Sequence, residues 1–225
     1  GLVGGDTLDI QLHVGAGAHA LLTTPGATRF YRSEQGLATQ QVKATVGEGA
    51  RLEWLPLETI AYNGCHGLNH AVFDMAPSAE LMAWDITALG LPNANLPFER
   101  GQLQQHMEVA GAWLERGLLD AQDARLMDGP LGLAGRRCMA TLVFACGADL
   151  PRERRDVALS LAREWTEAAP ADVLAGVTSP HPRMVVLRTL SPLVEPAQTL
   201  LRGVWSAWRR GLWCMGDKPP RIWAM

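Results

Sequence analysis

The sequence contains few cysteines, no long hydrophobic run and no large excess of either charge. Its 20 Lys and Arg residues against 23 Asp and Glu residues give a net charge of -3, which excludes nucleic-acid binding driven by bulk positive charge. The most apolar stretch, Cys138–Cys146, is about half as long as the roughly 18–20 residues that a membrane-spanning helix needs. We therefore expect a protein that binds neither nucleic acid nor membrane.

The four cysteines, at positions 65, 138, 146 and 214, lie far apart and form no Cys-x-x-Cys pair. Small secreted domains depend on dense disulfide frameworks, so this spacing predicts reduced thiols and a cytoplasmic protein. The 225 residues fit one domain, in which residues 150–210 would form a helical subdomain. Because the chain opens at Gly1 without an initiator methionine, we expect it to be truncated at its N-terminus.

Three motifs that identify common enzyme classes are also absent. The glycines at positions 1, 4 and 5 do not form Gly-x-Gly-x-x-Gly, and neither a Gly-x4-Gly-Lys-Ser/Thr loop nor a Gly-x-Ser-x-Gly elbow occurs. Nucleotide binding through these loops and serine hydrolysis are therefore unsupported.

A turn sequence recurs three times in the first hundred residues. Apolar residues alternate with polar ones from Leu8 to Val14, and this half-buried strand pattern ends in a corner of small residues that leads to Ala18. Similar corners lead to Ala50 and Ala79, at spacings of 32 and 29 residues. The spacing predicts stacked β-units that share a core. An antiparallel meander or sandwich whose hairpins share one turn chemistry fits the same residues.

Strands are predicted again at residues 102–109, 113–119, 139–146 and 183–190. Helical periodicity appears within residues 153–169, where Val157, Leu161 and Trp165 recur every four residues. A second helix is predicted to start near Pro196 and to end near Gly211.

One local cluster has metal-ligand chemistry: Cys65, His66 and His70, with Asp74 four residues further on. Thiolate, imidazole and carboxylate groups suit nickel or zinc. The spacing is not specific, however, and a solvated loop with glycines nearby carries such residues without any metal. The solvated loop is the simpler interpretation.

Lone acids in apolar surroundings are a second group of candidates: Glu53, Glu58, Asp85 and Glu115. Burying an unpaired carboxylate costs several kcal/mol, so each buried acid needs a partner, a hydrogen-bond donor, a metal or internal water. The simpler interpretation places them on wet strand faces or pairs them with a neighbour such as Arg116.

Several sequence blocks stand in a fixed order along the chain: residues 4–6, 22–33 (Leu-Thr-Thr-Pro-Gly-Ala-Thr-Arg-Phe-Tyr-Arg-Ser), 52–60, 84–90 and 220–224. Together they resemble the UreD family of urease accessory proteins, called UreH in some species. The resemblance spans the whole chain. It departs from the family pattern in the 91–98 loop, at Leu91, where an arginine commonly follows Leu-Gly.

The resemblance implies a non-enzymatic scaffold that loads nickel into apo-urease together with UreF and the GTPase UreG. Nickel would be bound transiently, in the cytoplasm, by a protein that can dimerise within the accessory complex. The resemblance also favours stacked β-units over a meander. We therefore predict a mainly β fold, with a β-helix or solenoid-like stacked body and a small insert of two α-helices near the C-terminus.

The resemblance further implies an internal, water-filled route for nickel. Matched motif by motif, its lining corresponds to Asp6, Thr28, Asp85 and Glu115. Carboxylates and hydroxyls are hard oxygen ligands between which a divalent ion can exchange together with water. Neighbouring acids should raise each other's pKa and make the transfer sensitive to pH.

Two other functions remain open from the residues. One is a nickel-binding or storage protein that uses Cys65, His66 and His70. The other is a β-solenoid enzyme in which Asp85 and Glu115 act as paired acids on a sugar.

Overall fold

The computed structural model describes residues 1–224. In chain order its strands are β1 (Thr7–Val14), β2 (His19–Leu22), β3 (Thr28–Phe30), β4 (Ala38–Val46), β5 (Arg51–Trp54), β6 (Thr59–Ala61), β7 (Cys65–Met75), β8 (Glu80–Leu91), β9 (Leu96–Pro97), β10 (Gly101–Val109), β11 (Trp113–Asp120), β12 (Cys138–Cys146), β13 (Leu174–His181) and β14 (Met184–Ser191). The helices are α1 (Ala124–Asp128), α2 (Arg152–Glu167) and α3 (Val194–Trp213).

The strands form two facing sheets. The first sheet has five strands in the order β1-β4-β7-β10-β11. The second has nine, with the path β13-β14-β12-β8-β5-β2; off this path β6 and β9 pair with β8, and β3 pairs with β6. In the first sheet β1, β4, β7 and β10 are parallel, and in the second β2, β5 and β8 are parallel. The chain thus winds from one sheet to the other in successive rungs.

The three predicted corners stack directly on one another. His19 pairs with Arg51 and Arg51 with Glu80, which reproduces the 32- and 29-residue spacing of the corner alanines. In each corner the alanine donates its backbone N–H to the residue three positions earlier. The prediction of stacked β-units is therefore confirmed, and the antiparallel meander is wrong for this part of the chain.

Antiparallel strands close the other end of the stack. Strand β11 folds back against β10, and β12, β14 and β13 continue the second sheet from β8 in antiparallel fashion. The strands predicted at 102–109, 113–119, 139–146 and 183–190 correspond to β10, β11, β12 and β14 within about one residue at each end, the usual uncertainty of such boundaries.

A tight reversal follows β8. Gly90 adopts φ 75°, and a Cβ there would lie 2.6 Å from the carbonyl oxygen of Leu96. Only glycine fits such a position without strain. A short 3₁₀ turn, Pro92–Ala94, then leads into β9, which pairs with the end of β8.

The two predicted helices are present as α2 and α3 and pack on the outer face of the second sheet. Trp205, Trp208 and Trp213 of α3 are all buried in the shared core, so core packing is the role of these tryptophans. Helix α1 is a single additional turn that the sequence pattern does not predict. Within residues 1–224 no helix is both long and apolar enough to span a bilayer.

Candidate functional site

A narrow polar cavity lies between the two sheets. Its volume is about 40 Å³, enough for roughly two or three water molecules, since one water needs about 10–15 Å³ of such volume. Trp54 and Trp84 form part of the wall, and Asp85 and Glu115 supply two carboxyl groups. The cavity therefore combines a small volume with acidic side chains.

A row of side-chain amides crosses the first sheet at this level. Gln40 on β4, Asn69 on β7 and Gln105 on β10 are register partners, and all three line the cavity. Their neighbours on the same inner face are apolar, for example Val42 and Ala71. The amides thus mark one polar layer inside an otherwise hydrophobic core.

A row of hydroxyl groups faces the amides from the second sheet. Thr28 on β3 pairs with Thr59 on β6, and Thr59 pairs with Thr87 on β8. The Thr28 hydroxyl donates to the Gln40 side-chain oxygen at 3.0 Å, and the Gln40 amide donates to the Asn69 oxygen at 3.2 Å. The two rows are therefore joined across the gap between the sheets.

Asp85 accepts hydrogen bonds from both rows. The amide of Asn69 donates to one carboxylate oxygen at 3.0 Å, and the amide of Gln105 donates to the other at 2.8 Å. The Thr87 hydroxyl donates to that second oxygen at 3.2 Å. A carboxylate between the sheets thus has the donors that its burial requires.

The environment of Asp85 changes its acidity. Burial raises its pKa from 3.8 to about 6, hydrogen bonds from Thr87 and Asn69 oppose the increase, and the negative charge of Glu115 adds to it. Desolvation disfavours the charged form because the low-dielectric interior solvates it poorly. Asp85 is therefore ionised at neutral pH but changes charge close to it.

Glu115 lines the cavity from β11. One of its oxygens accepts from the Thr141 hydroxyl at 3.3 Å, and the other accepts from Arg188 at 2.9 Å from Nε. The neighbour Arg116 lies on the opposite face of β11 and is exposed. The interpretation that pairs Glu115 with Arg116 is therefore wrong, because consecutive strand residues point to opposite faces.

A surface groove begins where the cavity reaches Glu115. The groove has a volume of about 330 Å³ and lies along β13 and β14. It shares four lining residues with the cavity: Glu115, Met139, Ala140 and Thr141. The internal cavity and the outer surface are thus adjacent at the Glu115 side chain.

Of the four residues assigned to the nickel route, the structure brings three to the polar layer. Asp85 and Glu115 line the cavity, and Thr28 is hydrogen-bonded to its wall at Gln40. Asp6 is exposed just before β1, where its carboxylate accepts from the backbone N–H of Val3 at 2.9 Å. Asp6 therefore lies apart from the other three.

The cluster Cys65, His66 and His70 does not converge. All three residues lie on β7, but Cys65 is buried on the inner face whereas His66 and His70 are on the outer face. Burial raises the pKa of the Cys65 thiol to about 11, which disfavours the thiolate that binds metals. Within residues 1–224 no group of three or more His, Cys, Asp or Glu side chains is arranged to hold a metal ion.

His70 instead stacks on a second histidine. Its ring lies 4.2 Å from that of His106 on the neighbouring strand β10. Burial lowers the pKa of His70, and the charge of His106 lowers it further. The pair is part of the polar outer face of the first sheet.

Two of the lone acids serve the helices rather than the cavity. Glu53 is fully buried and accepts from Trp205 at 2.5 Å and from Arg209 at 2.7 Å, both on α3. Glu58 accepts from Gln198 of α3 at 3.0 Å. The interpretation of these acids as wet surface residues is therefore wrong for Glu53, which anchors α3 to the β-body.

Apart from Thr28, the residues of the amide and hydroxyl rows are not apparent as site residues from their local sequence. Gln40, Asn69 and Thr59 each look like ordinary strand residues in isolation. Their spacing carries the signal, since Gln40 and Asn69 are 29 residues apart, as are the corners at Ala50 and Ala79. Polar residues that recur at the rung spacing must stack in one layer of a solenoid.

The chemistry of the cavity is that of weak oxygen coordination. Carboxylate, hydroxyl and amide groups offer hard ligands, and no thiolate or imidazole cage is assembled among the described residues. Such a lining suits the passage of a divalent cation better than its permanent retention. The cavity is also far smaller than the roughly 300–1,000 Å³ of a pocket for organic ligands, which does not favour the sugar-cleaving hypothesis.

Fold and site together define a β-solenoid scaffold with an acidic internal cavity. A family model described as UreD urease accessory protein matches residues 1–224. The urease accessory protein UreD of Albidiferax ferrireducens is 60% identical over 225 residues, which cover 100% of this chain and 82% of that relative. The same protein of Paracidovorax citrulli is 56% identical with the same coverage. The chain therefore belongs to the UreD family of urease accessory proteins, and the resemblance seen in the sequence is confirmed.

Proposed function

We propose that this protein is a non-catalytic scaffold that delivers nickel to apo-urease in the cytoplasm, together with UreF and UreG. Nickel would pass through the cavity between the sheets and exchange between the carboxylates of Asp85 and Glu115. The observation that carries the proposal is that these two acids line one polar cavity between the sheets. Membership of a family of urease accessory proteins supports the same role.

The size of the cavity indicates how nickel would travel. A cavity of about 40 Å³ cannot hold a cation with six waters, because six waters need more than about 60 Å³ on the same measure. Protein oxygens must replace part of the hydration shell. Asp85, Thr59 and Thr141 stand at suitable positions for this exchange.

The charge of Asp85 sets a pH range for the transfer. With a pKa of about 6, Asp85 is mostly ionised at pH 7.5 and mostly protonated at pH 5. A protonated carboxyl is a poor ligand for a cation. Transfer should therefore weaken as the pH falls through 6.

Co-expression of urease with Asp85→Ala tests the proposal. Asp74→Ala is the matched control, because Asp74 is an exposed acid on the outer face of β7. Nickel content and urease activity should fall in the Asp85→Ala strain by roughly an order of magnitude or more and stay at the wild-type level in the Asp74→Ala strain. A pull-down with UreF and urease checks that both variants still assemble.

The proposal fails if Asp85→Ala and Glu115→Ala each support full nickel loading while they assemble normally. A loss of activity that accompanies a loss of assembly would support a purely structural role instead. The nickel-storage alternative has less support, because Cys65 and the two histidines lie on opposite faces of β7. Nickel binding that disappears when these three side chains are removed would favour storage.

A further inference from the structure

An ion pair stands between the cavity and the groove. Arg188 projects from β14 of the second sheet and reaches Glu115 on β11 of the first, with Nη2 at 2.8 Å and Nε at 2.9 Å from the same oxygen. Arg188 lines the groove, whereas Glu115 lines both the groove and the cavity. The pair therefore bridges the two sheets at the boundary of the two spaces.

The contacts of Glu115 leave it little freedom to accept a cation. One oxygen is occupied by the guanidinium and the other by the Thr141 hydroxyl. The positive charge of Arg188 also neutralises the carboxylate that would attract a metal ion. Both carboxylate oxygens of Glu115 therefore already have partners, and neither is free to bind a cation.

Arg188 is held loosely enough to move. Its side chain is 50% exposed, and apart from Glu115 its guanidinium lies 5.8 Å from the ring of Trp113. An ion pair whose arginine is half exposed contributes little to stability, so little is lost when it opens. Displacing Arg188 toward the groove would free Glu115 without unfolding any strand.

We propose that Arg188 gates the cavity: its guanidinium occupies Glu115 and repels cations where the cavity meets the groove, so that nickel passes only when this ion pair opens. The inference rests on the proposed function, since it identifies the residue that controls the same route. It assigns Arg188 a gating role and not a structural one.

The test is activation of purified apo-urease by the full-length protein with its accessory partners at limiting nickel. We expect Arg188→Met to accelerate activation about tenfold, because a divalent cation no longer passes a positive charge at short range. Arg188→Lys keeps the charge and should behave as the wild type. Arg116→Met is the matched control, since Arg116 is exposed on the other face of β11 and its removal should change nothing.

Ionic strength supplies a second readout. Salt screens exposed charges over about 10 Å at 0.1 M, so the difference between Arg188→Met and the wild type should shrink as salt is added. A merely structural effect of the substitution would not follow this dependence. Arg188→Gln, which can still hydrogen-bond to Glu115, keeps the proposal testable if the methionine variant folds poorly.

The gate and the route can fail separately. Wild-type or slower rates for both Arg188→Met and Arg188→Gln, with Asp85→Ala impaired, overturn the gate and leave the route intact. An Asp85→Ala variant that activates urease normally overturns the route, and the gate with it. Faster activation in the two neutral variants, lost again in Arg188→Lys, supports the gate.

Discussion

The carboxylate of Glu53 and the guanidinium of Arg209 meet at 2.7 Å although 156 residues separate them in the chain. Glu53 is fully buried and Arg209 is 12% exposed, so both charges are taken out of water. Trp205 and His19 donate to the same carboxylate. This contact ties a strand of the second rung to the last helix.

Glu53→Gln should therefore destabilise the protein strongly. Removing one partner of a buried ion pair leaves the other uncompensated, at a cost of about 3–5 kcal/mol. Urea unfolding measures the loss. Glu34→Gln is the control, because the Arg32–Glu34 pair is more than 70% exposed on both sides and should contribute about 0–1 kcal/mol. Similar losses in the two variants would contradict the anchoring role of Glu53.

The stability of Asp85→Asn relative to the wild type should increase with pH. The pKa of Asp85 is about 6 in the folded protein against an ordinary value of 3.8, so ionisation opposes folding. Below pH 4 Asp85 is protonated in both the folded and the unfolded wild type, so its ionisation does not affect stability. Between pH 4 and 6 the unfolded state ionises first and the wild type loses stability. Above pH 6 the loss is complete and stays constant. The variant cannot ionise, so its stability relative to the wild type should rise over this range by on the order of 2–3 kcal/mol.

Thermal melts at pH 4 and pH 8 measure this difference. Asp74→Asn serves as the control, since that side chain is exposed. An advantage of Asp85→Asn that is equal at both pH values would show that ionisation of Asp85 is not its cause. In the nickel-loading test the same variant should lose function, as expected for a carboxyl group kept for activity although its ionisation opposes folding.

Gly203→Ala should weaken the contact between the two long helices. Alanine normally stabilises a helix interior by about 1 kcal/mol relative to glycine. Here a Cβ would lie 2.4 Å from the ring of Trp165 on α2, and such overpacking costs about 1–3 kcal/mol. We expect a net loss of stability in denaturant unfolding. Gly211→Ala meets only the flexible end of Leu161 and should be neutral or slightly stabilising, so the reverse order would contradict this packing.

The four cysteines should react very unequally with a thiol reagent. Cys214 is exposed, whereas Cys65, Cys138 and Cys146 are buried. Burial raises the pKa of Cys138 and Cys146 to about 12, so these thiols stay protonated and unreactive. We expect one fast thiol in the native protein and four after denaturation, counted by absorbance with a chromogenic disulfide. Rapid native labelling of Cys65 would contradict its position on the inner face of β7.

The stacked corners could be predicted because their causes are local. The turn before Ala18, Ala50 and Ala79 depends on small residues at fixed positions. Because parallel strands stack these turns on one another, the turns recur at similar intervals along the sequence. The helices were equally clear, because the apolar period of α2 and α3 is read over many residues. In both cases the residues that determine the structure are close together in the sequence.

The partners of the acids could not be predicted in the same way. Glu53 and Glu115 look alike in sequence, yet one binds α3 and the other binds Arg188 on β14. These contacts depend on which helix or sheet packs against each strand. That arrangement is a property of the whole fold and not of the local sequence. The motif of Asp6 predicts a place on an internal route; in the described structure its carboxylate closes a local turn, and that place stays a prediction.

The direction of the strands gives the stack two different ends. At one end β10 and β11, and β8 and β12, run antiparallel, so the winding of the chain stops there. At the other end β1, β2 and β3 are the outermost parallel strands in the described part of the molecule. Their free backbone groups offer a template for pairing. A polypeptide that extends the parallel stack by backbone hydrogen bonding must therefore add at this end, beside β1, β2 or β3.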